Sequence, residues 1–368
     1  MNPYSVGLLI SLLLLAGPSH VWLSLLRSAS TSSGGREHTA LLPLVAAADH
    51  RGEGSRSPAE SMRCGSTMLL FRDAQRGWVV GDGGRILATI DGGHTWHRHT
   101  ASHLELSGIA FVSNQQGWVV GDAGTILSTH DGGASWTRHP PVTSAFLYRV
   151  CFLTPTVGWI VGAGGTILVT RDGGRQWQAQ KSAVGQALRD IACFSPHECV
   201  VVGDEGTVLT TQDGGATWTS QRRISIDGLV DVGDDNFTGV VITPDGTVWA
   251  TAGGRQGYVL RSDDRGKTWA MPIGGNLRMQ APSSLHFWDY RKGIVVGTEL
   301  MGGGHGILLT TDGGASWTVA KIAGWRGFIY VYSVFFVNER VGWARAQNVT
   351  ILHTEDGGQT WSIQHSER

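Results

Sequence analysis

THDGGASW, residues 129–136, returns along the chain as TIDGGHTW, TRDGGRQW, TQDGGATW, SDDRGKTW, TTDGGASW and TEDGGQTW. Its aspartates are Asp91, Asp131, Asp172, Asp213, Asp264, Asp312 and Asp356, spaced 40, 41, 41, 51, 48 and 44 residues apart. A period of this size marks a repeat architecture. The chemistry inside the octet is that of a tight turn. The carboxylate accepts hydrogen bonds from backbone N–H groups of its own turn, and Gly supplies the positive φ that a tight turn needs. The flanking Thr or Ser bond locally and favour strand. The closing tryptophans, Trp96, Trp136, Trp177, Trp218, Trp269, Trp317 and Trp361, each bury a large ring against a neighbouring sheet. The aspartates are therefore read as structural rather than catalytic.

Outward from the octet, the second repeat reads LSGIAFVSNQQGWVVGDAGTILSTHDGGASWTRH, residues 106–139. Four short β-type runs, IAFV, WVVG, TILST and SWTRH, alternate with the turn sequences SNQQ, GDAG and HDGGA. A four-stranded antiparallel sheet of this size cannot bury both faces alone, and radial stacking of copies solves that problem. Seven copies fill residues 66–365. The expected fold is all-β: a seven-bladed β-propeller of four-stranded antiparallel blades, each with the octet hairpin between strands three and four.

Composition agrees. The chain has 368 residues, 53 Gly, 15 Trp and a net charge of −1 with 16% charged residues, so it carries no electrostatic footprint for nucleic acid. Residues 1–30 are expected to be a signal peptide or membrane anchor. An apolar run spans 5–16 and a second spans 21–26, ahead of the small residues Ser28-Ala29-Ser30. Residues 31–65, rich in Ser, Gly, Ala and Arg, read as a low-complexity linker; within them TALLPLV (39–45) is a candidate edge strand. The propeller then occupies 66–368.

The octet resembles the Asp-box (BNR) repeat. Joined to the preceding GWVVGDxGxIL-T segment, the whole blade resembles the photosystem II assembly and stability factor family of cyanobacteria and chloroplasts, which also has relatives in bacteria that do not photosynthesise. Four repeats keep the Gly-Trp pair: Gly77-Trp78, Gly117-Trp118, Gly158-Trp159 and Gly342-Trp343. The resemblance spans about 300 residues. It implies an exported protein (periplasm, cell envelope or thylakoid lumen) without cofactor or metal. It further implies binding of a protein client, such as a membrane photosystem subunit; membrane association through the N-terminal apolar run and a monomeric ring are expected separately from it.

Strand order divides the loops between two faces. The first-to-second turn and the Asp-box turn share one; the second-to-third turn and the link to the next blade share the other. On the first face the step from the first-strand aromatic to the second-strand Gly is six residues, from Phe71, Phe111, Phe152, Phe287 and Phe336 to Gly77, Gly117, Gly158, Gly293 and Gly342. Cys193 to Cys199 keeps the same step. Extra length is assigned to the other face, over blades five to seven. It lies in TELMGGGHGILLT after Gly297, in AMPIGGNLRMQAPSS after Trp269 and in KIAGWRGFIYVY after Trp317. Between Trp218 and Asp264 two strand assignments compete, with either SQRRISIDGLVDVGDDN as a link or TPDGTVWATAGGRQG as a turn. Loop elaboration on a rigid scaffold is where binding function resides. The candidate protein-binding residues there are Arg149, Arg189, Arg222, Arg223, Arg278 and Arg326, opposed by Asp82, Asp122 and Asp204; local Asp–Arg pairing is the competing reading.

Cys193 and Cys199 flank a hairpin turn at a spacing that permits a disulfide in an exported chain, with two small buried residues as the alternative; Cys64 and Cys151 remain unassigned. His94, His97, His99 and His103 crowd the end of blade one, where a surface strand explains them better than a metal site. The rival functional class is a sialidase-like glycoside hydrolase, which needs an arginine cluster, a tyrosine nucleophile assisted by a glutamate and an acid aspartate, where other glycosidases need two carboxylates across the scissile bond. The nearest matching string, Leu70-Phe71-Arg72-Asp73, sits at the wrong end of its strand. A third class is a cell-envelope interaction propeller unrelated to photosynthesis. No catalytic residue is assigned.

Overall fold

The computed structural model describes residues 68–221, 225–226, 230–231, 235–254, 256–277, 279, 281–298, 306–325, 327 and 329–366. The N-terminal segments, the 39–45 run, Cys64, Arg222, Arg223, Arg278 and Arg326 lie outside these.

Blade 1 shows the plan. Leu69–Phe71, Gly77–Val80, Arg85–Thr89 and His97–Thr100 pair antiparallel in chain order. Blades 2, 3, 4 and 6 repeat it. In blade 5 three strands, Asn236–Ile242, Val248–Gly253 and Gly257–Ser262, are joined by a fourth edge held through the bridge Arg261↔Ala270. Blade 7 is contiguous from Val331–Phe336 to Thr360–His365. The first strands neighbour one another around the ring, and that of blade 1 packs against those of blades 2 and 7. Seven blades thus close a propeller with its first strands innermost.

Alternation along each strand sends side chains to opposite neighbours. Trp78 and Val80 pack toward blade 2, whereas Phe71, Val79 and Leu87 pack with Trp343 and Ile351 of blade 7. Every hydrophobic cluster spans two consecutive blades. The core is therefore a set of junctions, none of which exists in an isolated repeat.

One aromatic motif builds these junctions. Phe71, Phe111, Phe152, Phe287 and Phe336 each face a glycine across the first strand pair. A Cβ at Gly77 would stand 2.5 Å from the Phe71 ring, so the ring lies flat only because the partner has no side chain. The free face of that Phe stacks on the second-strand Trp of the preceding blade. Centroid separations are 3.8 Å for Trp78–Phe111, 4.0 Å for Trp118–Phe152, 4.1 Å for Trp249–Phe287 and 3.6 Å for Trp343–Phe71. The blade's own Asp-box Trp meets the ring edge-on, as in Trp136–Phe111 at 6.1 Å and Trp361–Phe336 at 5.9 Å. Each such contact adds about 0.5–1.5 kcal/mol beyond its burial.

The fifth blade resolves in favour of the long link. The turn TPDGT is a tight first-to-second turn, with Thr243 N–H donating to the Thr247 carbonyl, and Ile242 faces Val248 at the position of Phe–Gly. The link before it carries a small hairpin, Ser225–Ile226 with Val230–Asp231.

The assignment of all extra length to one face needs correction in two places. Between the bridges Arg261↔Ala270 and Tyr258↔Asn276 the third strand advances three residues and the outer edge six. Three residues are thus looped out of the perimeter strand, and this bulge brings Pro272 against Gly314 of the next Asp-box, with Ile273 99% exposed. In the other place, Lys321–Ile322 pairs parallel with Thr360–Trp361 as a fifth strand on blade 7. Backbone groups need partners, and the chain found them at the rim of the ring rather than on its face.

Candidate functional site

The Asp-box hairpins lie on one face of the propeller. In blade 4, Asp213 accepts from the Thr217 hydroxyl at 2.6 Å, the Thr217 N–H at 2.9 Å and the Thr211 hydroxyl at 2.8 Å. These bonds, that from the Thr217 hydroxyl first, hold its pKa at about 2. Asp312 is held at about 2 by Ser316 in the same way, and Asp91 and Asp131 lie lower still. All these carboxylates are ionised and saturated with donors, which suits a turn and not an acid catalyst.

The box also ties blades together. Trp78 Nε1 donates to the Gly132 carbonyl of blade 2, and Trp343 Nε1 and Gln364 Nε2 donate to Gly92 of blade 1. Arg171 and Gln180 of blade 3 both donate to Gly214 of blade 4. In blade 1, Ile90 stands where blade 3 has Arg171 and is 70% exposed, leaving between blades 1 and 2 an open groove of about 720 Å³. Neither Arg149 nor Arg189 lines it.

The opposite face is organised by a β-bulge that recurs at the start of the first strand in blades 2 to 7. In blade 3 Leu147 pairs with Gly162 and Arg149 with Val161; in blade 4 Leu188 pairs with Gly203 and Asp190 with Val202. Tyr148 and Arg189 are therefore the two bulge residues and structural counterparts, and the residues that follow them, Arg149 and Asp190, are the next pair. A bulge re-aims its side chain, and these two pairs end in different surroundings.

Arg149 is 3% exposed, and its Nε donates to Asp190 Oδ1 at 2.7 Å. Asp190 also accepts from Ile191 N–H at 2.8 Å and, through Oδ2, from Val240 N–H of blade 5 at 2.9 Å. This buried pair couples blades 3, 4 and 5 and presents no charge to a partner.

Arg189 stays near the surface, its side chain 35% exposed. Its Nε and Nη2 grip both oxygens of Asp204 at 2.7 Å each, which raises its pKa above the ordinary arginine value. The guanidinium lies 4.4 Å from the centre of the Tyr148 ring, and Tyr148 in turn lies 4.9 Å from Phe146. Phe146, Tyr148 and Arg189 thus form a half-buried shelf at the junction of blades 3 and 4. Blade 7 repeats the theme: its bulge residue Tyr332 is 41% exposed with the Arg345 guanidinium 5.2 Å from its ring. The aromatic members were not among the residues singled out from sequence. The signal was there, since Tyr148 precedes Arg189 by 41 residues, one full repeat.

Cys193 and Cys199 are bonded to each other, and Cys151 is also disulfide-bonded. His97 and His99 lie on the outer strand His97–Thr100.

Fold and blade motif together define a class, the Asp-box β-propellers built from tryptophan-wedged blades. Within it the chain belongs to the family described as photosynthesis system II assembly factor YCF48, whose profile matches residues 63–143, 139–227, 177–271 and 276–367. Among solved structures it is similar to YCF48 bound to D1 peptide, with 23% identity, a TM-score of 0.60, and coverage of 80% of this chain and 94% of that one. It is also similar to YCF48 from Cyanidioschyzon merolae, with 19% identity, a TM-score of 0.57, and coverage of 82% and 95%. An ancestral GH74 enzyme shares the fold at 14% identity and a TM-score of 0.60, with coverage of 84% of this chain but 48% of that one. No protein of curated function matches the chain.

Proposed function

We propose that this protein is a binding scaffold for a photosystem II subunit, which it holds as an extended segment on the face opposite the Asp-boxes. The observation that carries this reading is the Phe146–Tyr148–Arg189 shelf. It is rigid because Asp204 fixes the guanidinium, and it sits on a bulge rather than in a ladder, so its rings are offered outward. Rings and arginine pre-set in this way form the kind of anchor that dominates protein interfaces. Membership of an assembly-factor family and likeness to a relative bound to D1 peptide support a protein client of this class.

The scaffold acts by binding and not by catalysis. The acidic groups beside the shelf are committed: Asp190 to the buried Arg149, and Asp204 to Arg189. It works outside the cytoplasm, a setting favoured by the apolar run at 5–16 and by the disulfides, which persist in oxidising compartments.

The test is a titration of the protein with a fluorescent D1 peptide. Tyr148→Ala and Arg189→Ala should each weaken binding about tenfold or more while leaving the melting temperature within about 2 °C. Unchanged affinity in both variants would remove the shelf from the client site.

A further inference from the structure

In five blades the wedge between neighbours is a Phe ring lying over a Gly. Blade 4 places the Cys193–Cys199 disulfide at that pair of positions. The tryptophans that would flank a Phe there are present: Trp159 of blade 3 and Trp218 of blade 4 share one buried cluster with Cys199. The cystine is therefore the wedge of the junction between blades 3 and 4.

We propose that Cys193–Cys199 is a thiol–disulfide exchange site that a dithiol opens in the folded protein, and that opening it loosens this junction. Cys193 is half-buried while Cys199 is 1% exposed, so of the two Cys193 is the residue nearer solvent and the one an incoming thiolate approaches. The bond spans a six-residue step that keeps its own holds, including Phe194 N–H to the Glu198 carbonyl at 2.9 Å and Glu198 N–H to Ser195 Oγ at 3.1 Å. Breaking it therefore leaves the hairpin paired. It does not leave the junction filled, because two separate thiols are neither cross-linked nor as large as the phenyl ring that sister blades use.

The chemistry closes with a dithiol as reductant. One thiolate attacks Cys193 Sγ and the Cys193–Cys199 bond breaks. Cys199 departs with the electron pair and takes a proton, since burial disfavours a thiolate. The reductant's second thiol then attacks its own sulfur in the mixed disulfide, releasing Cys193 as a thiol and leaving the reductant oxidised by two electrons. The strand that ends at Cys193 begins at Leu188 and carries Arg189 and Asp190, so a looser wedge is felt at the opposite face.

Hydrogen exchange with and without dithiothreitol tests this. In the wild type, the dithiol should speed exchange in Gly158–Gly162 and Leu188–Cys193 and lower the melting temperature by about 5 °C. Cys193→Ala/Cys199→Ala should match the reduced wild type. Cys193→Phe/Cys199→Gly, which restores the sister wedge, should show the protected pattern in both conditions. The disulfide of Cys151 is retained in both variants. A dithiol response that persists in the Phe/Gly protein would thus belong to Cys151 and overturn the proposal. Alkylation that finds Cys193 and Cys199 unreduced until global unfolding would also overturn it, as would Ala/Ala exchange unlike that of the reduced wild type.

Discussion

At Asp172 the Asp-box carries Gln176 where the other six have Thr or Ser. The Asp172 carboxylate keeps the backbone bond from Gln176 at 3.0 Å and the Thr170 hydroxyl at 2.9 Å, but no hydroxyl reaches its other oxygen. Gln176→Thr should add the bond seen between Thr217 and Asp213 and raise the melting temperature by about 1–2 °C, readable by calorimetry. The same chemistry fixes an acid dependence. A carboxylate whose folded pKa lies below its unfolded value, near 3.8, contributes stability that is present above the unfolded value and lost as pH falls through the folded one. For Asp213 and Asp312 that window runs from about 4 to about 2. Asp213→Asn should therefore be less stable than wild type at pH 6, and the gap should close as pH falls across this window. A constant gap down to pH 2 would show that the carboxylate's charge is not what the turn uses.

Strands and turns separate two arginines that the sequence presents alike. Arg149→Leu leaves Asp190 buried without its cation and should cost about 3–5 kcal/mol in denaturant unfolding; Arg189→Ala removes a half-exposed pair of small value and should act on client affinity instead. Sequence reading placed both at the starts of first strands, which is correct, but they sit one position apart in the repeat: Arg149 is the counterpart of Asp190 and Arg189 that of the bulge residue Tyr148, so one is buried and the other half-exposed. The 40-residue step between them, one short of the 41-residue repeat, carries that offset, but only the strand pairing shows what it does to burial. What could be read were the local patterns: the octets, and the six-residue steps from aromatic to glycine that a flat ring demands. Blade 5 resisted because Ile242 and Val248 replace that pair and Arg265 stands in the left-handed position of a turn glycine, with φ 65°. Its Trp249 nonetheless stacks on Phe287 as the other second-strand tryptophans do on theirs, a correspondence visible only once the strands were paired. The looped-out residues 272–274 and the parallel strand Lys321–Ile322 were misplaced for a related reason: their hydrogen-bond partners are far away in sequence.

Across the whole ring, six junctions are bridged by the chain and one is not. Among the described residues, blades 7 and 1 meet through side chains and backbone contacts, chiefly Trp343 stacked on Phe71 and bonded to Gly92, and Gln364 bonded to the same carbonyl. Trp343→Ala and Trp118→Ala delete equivalent rings and should each cost about 3–5 kcal/mol. Only the first should also release first-strand exchange in blade 1 well below global unfolding, because no chain segment among the described residues runs directly from blade 7 to blade 1 to re-seat the partner. Equal exchange in the two variants would show that closure is spread over the junction. The perimeter has its own asymmetry. Outer strands are two to four residues long in blades 1, 2, 3, 4 and 6, whereas blade 7 ends in the six-residue run Thr360–His365. A long bare ladder of this kind invites a foreign strand. Lys321–Ile322 lies along its beginning and takes up backbone groups that an added strand would otherwise pair with.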